Sequence, residues 1–314
     1  MYRFILKRIL IMIPTMLLII LIVYGVMCLT PSTPGRVILG EKAAQEAVDK
    51  LNEELGWNEP FLKRYALYVW DLFRGDLGES YRSKQPVIND IMLRMPNTLI
   101  LTSIAILLAL SIGIPIGVLS AVKQNSMYDM LGTSLSILFA AVPTFWLGLM
   151  AIVLFSLKLG WLPSNGLDTA KHYILPSVIM AMAPAASLAR LTRTTMLESI
   201  RQDYTRTAYA KGQSPRKVIF RHALKNSLLP VITAAGMQFG SIMGSAVVTE
   251  QIFAITGIGT MLTDSVRMKD IPQAMGCTVI LSFFFMLIML FVDVSYALID
   301  PRIKARYTRK AKAS

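Results

Sequence analysis

Six stretches without a single Asp, Glu, Lys or Arg constrain this chain more than anything else in it: residues 9–35, 95–122, 130–157, 172–189, 226–249 and 271–292. Each supplies the roughly 17 to 25 residues that a helix needs to cross hydrocarbon. The fourth carries Pro176 and Pro184, yet it also reads as a helix, because irregular backbone in lipid leaves polar groups unpaired. Charged residues make up only 16% of the chain, against about 25% in soluble domains. The fold class that follows is an all-α membrane protein with six transmembrane helices. Arg3, Lys7 and Arg8 precede the first apolar run as they would in a secretory leader. That run is too long for a leader and no A-x-A site follows it, so it is expected to remain as an anchor.

Orientation follows from where the charge lies. With the N-terminus inside, the segments 1–8, 123–129, 190–225 and 300–314 hold 19 basic residues and four acids, whereas the outside segments hold 13 basic and 14 acidic residues. The net charge of +13 is thus a topological signal of the positive-inside kind, and nucleic acid is not needed to explain it. The expected division has residues 1–30 as the N-terminal cytoplasmic end and first span, and 31–94 as an extracytoplasmic segment. Residues 95–300 form the core of spans two to six, with a cytoplasmic loop over 190–225, and 301–314 form a basic cytoplasmic tail.

Several classes of chemistry lack their residues. Cys28 and Cys277 are far apart, and His172 and His222 are the only histidines, which gives neither a disulfide framework nor a metal cluster. There is no G-x-x-x-x-G-K-[ST] run for a nucleotide, so energy must come from another protein. Asp293 is the one acid close to a span. That scarcity argues against an ion-coupled transporter, which needs ligands for its ion, and no acid–base or nucleophile set suits a membrane-embedded enzyme.

Between the first two spans, apolar spacing predicts helices over Ala43–Leu55, stopped by Gly56, and over Phe61–Phe73. This segment reads both as a packed cap over the membrane and as a landing surface for an external partner. Within the spans, Pro115 (between Gly113 and Gly117) should weaken the second and Pro143 should kink the third. Gly236, Gly240 and Gly244 form a smooth stripe on the fifth. All five are candidates either for packing or for the joints of a gate.

The loop over 190–225 is basic. Met196, Ile200, Tyr204 and Ala208 recur every fourth residue, which predicts an amphipathic helix over Leu197–Lys211. Gly212 suits its left-handed stop, Ser214 the next N-cap and Pro215 the first helical position. A second short helix should then present Val218, Ile219 and Phe220 within a basic rim of Arg216, Lys217 and Arg221. Such a knob fits a groove of another protein; a segment attracted to anionic lipid is the other reading.

Here the residues resemble a known family. Thr207-Ala208 followed by Gly212 is similar to the cytoplasmic signature of permease subunits of bacterial binding-protein-dependent ABC importers. The general signature begins Glu-Ala-Ala where this chain has Arg206-Thr207-Ala208, and its closing proline is later, at Pro230. Ala210-Lys211-Gly212 with Arg221-His222-Ala223-Leu224 and Leu229-Pro230 looks like the dipeptide, oligopeptide and nickel branch. Gly75-Asp76-Leu77-Gly78 with Ser80, Pro96-Asn97-Thr98, Val142-Pro143-Thr144-Phe145, Gly257-Ile258-Gly259 and Asp300-Pro301-Arg302 extend the likeness along the chain. They point to the first of two permease subunits, with the type I importer fold.

The resemblance implies an importer of di- or oligopeptides in the bacterial inner membrane, both termini cytoplasmic, with a nickel or metal-chelate importer as the alternative. Its implied partners are a second homologous permease, two ATPase subunits and an extracytoplasmic solute-binding protein, besides membrane lipid. ATP and Mg²⁺ would sit on the ATPases and no cofactor on this chain. Ala208, Gly212 and Pro215 are then expected to set the geometry of the coupling loop. Arg206, Thr207, Lys211, Ser214, Arg216 and Arg221 complete the candidate set.

Overall fold

The structure, a computed structural model, describes residues 2–29 and 32–299. The Asp300-Pro301-Arg302 motif and the tail 301–314 lie outside the described residues. The apolar windows become helices because lipid offers the backbone no partners. Five helices among the described residues are long and apolar enough to cross a membrane, or six if one bent pair counts as a single span. The chain resolves into two compact units.

One unit comprises residues 6–99 and 256–286. It contains most of α1 (Tyr2–Cys28), then α2 (Pro34–Leu39), α3 (Gln45–Glu54) and α4 (Phe61–Phe73). It also holds the first turns of α5 (Val87–Val122). Gly56 stops α3 as expected: its φ is +66°, its N–H donates to Glu53 O and that of Trp57 to Asn52 O. Ile20, Tyr24 and Met27 of α1 share a core with Val87, Ile91, Ile258, Met261 and Met275. α4 lies along α1, for Tyr24 stacks on Tyr68 at 5.9 Å and the Tyr65 hydroxyl donates to Leu17 O at 2.9 Å. Burial raises the Tyr65 phenol above its ordinary range, so it remains a donor. Opposite, the buried Asp270 carboxylate accepts from Ser80 Oγ at 2.5 Å, Tyr81 N at 3.2 Å and Arg82 N at 3.4 Å. The Gly-Asp-Leu-Gly loop is therefore pinned to the start of the last long helix.

The other unit comprises residues 100–255 with 287 onward, and its core joins Leu101, Ala105, Ala109, Leu188, Ile242 and Phe253. Lipid is as apolar as Leu, so close approach of small residues holds such helices together. α8 (Ile174–Ile200) passes unbroken through Pro184. α5 likewise runs unbroken through Pro115. Gly113 and Gly117 make a seam: a Cβ there would come 2.6 Å from Ala185 O and 2.5 Å from Ala189 O. Pro143 does more than kink. α6 (Met127–Ala141) and α7 (Thr144–Ala151, extended by a π turn to Lys158) meet at 98°.

The glycine stripe of α11 (Leu224–Ile252) is not uniform. A Cβ on Gly236 would overlap Val292 of α13 (Ile271–Ile299), whereas one on Gly244 would meet nothing within 4 Å. Gly244 therefore makes no close helix approach in this structure. Three acids that flank the apolar windows, Asp129, Glu250 and Asp270, are buried within the protein.

Candidate functional site

The 190–225 segment is less loop than expected, because α8 carries Arg190 and Arg193 on its own surface down to Ile200. Arg201 and Gln202 then form a turn, so the single helix expected over Leu197–Lys211 is two: the end of α8, and α9 (Asp203–Ala210). The break has a local cause, the Thr205 hydroxyl donating to Ser199 O at 2.8 Å. The four-residue repeat splits accordingly. Met196 and Ala208 are buried, but Tyr204 is 40% exposed.

The corner after α9 forms as its glycine requires. Gly212 has φ +73°, the left-handed region that costs a Cβ-bearing residue about 1 kcal/mol or more. Its N–H donates to Tyr209 O at 2.9 Å, and that of Gln213 to Ala208 O at 3.3 Å. The Schellman pair of hydrogen bonds is complete. Ser214 and Pro215 start the next element as expected, although Ser214 caps through its backbone only, accepting from Val218 N at 3.0 Å. That element is not a separate short helix. α10 (Pro215–Lys217) and a π turn over Val218–Ala223 lead without a break into α11, one 38-residue helix from Pro215 to Ile252.

This arrangement decides what the corner can offer. Val218 is fully buried, and Ala223 is buried against Met196, Val118 and Ala121. Val218 is therefore an anchor, not an apolar tip. Phe220 at 60% exposure, Tyr209 at 43% and Tyr204 at 40% are the outward apolar groups. Arg206, Thr207, Lys211, Arg216 and Arg221 are all exposed around them. Thr207 Oγ1 turns inward to Asp203 O at 2.8 Å, and Arg206 has only a loose contact at 3.9 Å with Asp203. His222 and Gln213 share a hydrogen bond of 2.8 Å across the corner. The result is a short helix held between the ends of two long ones, with aromatic groups and these four cationic side chains turned outward.

One feature of this region escaped the sequence pattern. Arg193 on α8 donates from Nε and Nη2 to the two carboxylate oxygens of Asp129 on α6, at 2.6 and 2.7 Å. Asn125 N adds a third bond at 3.0 Å, and Arg190 Nη1 donates to Ser136 O at 3.0 Å. Such a bidentate pair fixes one helix against another. Counting charge by side of the membrane treats both residues alike, and only their spatial meeting distinguishes them.

Residues 113–305 match the family described as binding-protein-dependent transport system inner membrane component, and residues 1–102 match its N-terminal counterpart. The chain is similar to the dipeptide transport system permease protein DppB of Alkalihalophilus pseudofirmus, with 38% identity over 97% of this chain and 100% of that one. It is equally similar to the glutathione transport system permease protein GsiC of Pectobacterium atrosepticum, with 38% identity over 97% and 99%. Among solved structures, a chain of the inward-facing MetNI methionine ABC transporter has the same fold, with a TM-score of 0.57 over 67% of this chain and 96% of that one at 20% identity. Multiple membrane-crossing helices, a right-angled bend at Pro143 and a glycine-capped corner before the longest helix thus accompany a family match over most of the length: the chain belongs to the binding-protein-dependent transport system inner membrane components.

Proposed function

We propose that this chain is one of two translocation subunits of an ATP-driven importer that carries di- or oligopeptides into the cytoplasm. The observation that carries the substrate class is the near full-length similarity to permeases named for dipeptide and glutathione transport. In this reading the chain hydrolyses nothing and binds no cofactor. ATP and Mg²⁺ reside on two partner ATPases, a second permease completes the pathway, and an external binding protein delivers the solute.

The corner at Gly212 is the proposed contact with the ATPase. A helix wedged between the ends of α8 and α11 moves both when it is pushed, because it rests on the Val218–Ala223 turn, whose Ala223 is packed against Met196 of α8. Ala208, Gly212, Ser214 and Pro215 set its shape. Arg206, Lys211, Arg216 and Arg221, with Phe220 and Tyr209, supply the surface, and Thr207 steadies α9 from within. Pro143 is the proposed joint of the pathway, and Gly236 the close contact that lets α11 pack. Pro115, Gly240 and Gly244 are the further candidate joints of this scheme. Both termini are cytoplasmic in this scheme.

The test is co-purification. The assembled complex should hold an ATPase whose hydrolysis is stimulated by loaded binding protein and accompanied by uptake of a labelled dipeptide into vesicles. Uptake by this chain and its partner permease alone, driven by an ion gradient, would overturn the reading.

A further inference from the structure

Beside α4, within the unit of residues 6–99 and 256–286, lies a cavity of about 540 Å³. Its walls are aromatic: Tyr24, Trp57, Tyr68 and Tyr81. Inside it, the Arg64 guanidinium stacks on the Trp57 ring, 4.0 Å from the centroid. Stacking covers the face of the cation and the Cys28 thiol lies beside it, but these do not satisfy all of its N–H groups. Nε and Nη1 of Arg64 are buried with no hydrogen-bond partner in the protein, and so is the Tyr68 hydroxyl. Three buried donors left open are costly, and the two residues that carry them both line this cavity, a combination suited to an oxyanion that draws them towards it. Burial also pushes the Tyr68 phenol well above its ordinary range, which keeps it a donor.

The charges around the cavity define the remainder of the ligand. Glu59 and Lys63 pair with each other at 2.8 Å and cancel. That leaves the Arg64 cation within and the exposed carboxylates of Asp71 and Asp76 along the same lining. A simple anion would be attracted by the first and repelled by the other two. A molecule carrying both signs satisfies all three.

We propose that this cavity binds a small zwitterion, with its anionic oxygens on Arg64 and Tyr68, its ammonium towards Asp71 and Asp76, and its apolar part against the aromatic walls. Two sources carry this chemistry. A free peptide has a carboxylate and an ammonium, and an ethanolamine phospholipid has a phosphate and an ammonium. The peptide source rests on the importer reading, with the cavity as a stop for solute on the external side. The lipid source does not.

The experiment uses the assembled complex without its binding protein, purified in a non-ionic maltoside, with titration calorimetry of dialanine and of dihexanoyl phosphatidylethanolamine. Saturable binding of at least one is expected. Arg64→Gln should weaken it about tenfold or more, the range for a charged hydrogen bond, and Tyr68→Phe, which keeps the ring packing, by a few-fold. N-acetyl-dialanine and dihexanoyl phosphatidylglycerol, which lack the ammonium, should bind more weakly, and Asp71→Asn should narrow that difference. Binding of dialanine makes the cavity a solute site and binding of the lipid alone makes it a headgroup seat. If wild type takes up neither, or Arg64→Gln binds as wild type does, the site is refuted. ATP-driven uptake measured on the same preparation separates the importer reading, since loss of uptake with binding intact leaves the site standing.

Discussion

Gly212 shows how much one residue can state in advance. An exposed glycine after a short amphipathic run and before Ser-Pro marks a left-handed stop, and the structure places it at φ +73°. Proline there is held near −65°, so Gly212→Pro should open the corner. Peptide uptake is expected to fall about tenfold or more, the equivalent of 1–3 kcal/mol of backbone strain, with the chain still inserted on a membrane flotation gradient. Gly56, with φ +66°, was legible for the same reason. The Asp129–Arg193 pair was not, because 64 residues separate the partners and neither stands in a local pattern. Arg193→Ala leaves a buried carboxylate with only the Asn125 N–H and a long bond from the Thr133 hydroxyl. It should cost about 2 kcal/mol after allowance for the partly exposed arginine, read as a lower melting temperature of the purified complex. Asp129→Asn with Arg193→Met should recover most of that loss.

For helices in lipid, what matters is which face meets a neighbour, and sequence gives the face without the neighbour. The GxxxG spacing was visible both at Gly113 and Gly117 and along α11. The first is a seam against α8 and the second is used at Gly236 but open at Gly244. Gly117→Val should therefore drive α5 from α8 and destabilise the complex by about 1–3 kcal/mol. Gly244→Ala should change its melting point within the noise of a surface substitution, about 0.5 kcal/mol. A destabilising Gly244→Ala would mean that the position packs against something beyond this chain. Pro143 was legible as a breaker, since it removes a donor and restricts the residue before it. Its 98° outcome was not, because the angle depends on where α7 finds its packing. A Cβ on Gly148 would stand at ordinary van der Waals distance from Ile252 and Phe253.

At the level of the whole molecule, the charge asymmetry predicts sidedness. With Cys28 and Cys277 replaced by Ser, a cysteine from Tyr209→Cys should react with an impermeant maleimide in inverted vesicles and not in intact cells. Lys50→Cys should show the reverse. Labelling of Tyr209→Cys from outside would remove the coupling role of the Gly212 corner along with the orientation. The span count was legible because hydrocarbon thickness sets a length that no soluble helix must meet. The division into two units was not, since α5 and α13 each contribute to both.

The bond from Tyr65 to the carbonyl of Leu17 bears on how the protein is made. Leu17 lies eleven residues before the end of α1, about 16 Å down a helix rising 1.5 Å per residue. In the proposed orientation, where the segment holding Tyr65 is extracytoplasmic, a translocated stretch settles back against the flank of a segment already released into the bilayer. On that orientation, assembly of this chain is expected to include a return step after export, and Tyr65→Phe is the lightest touch that would slow it.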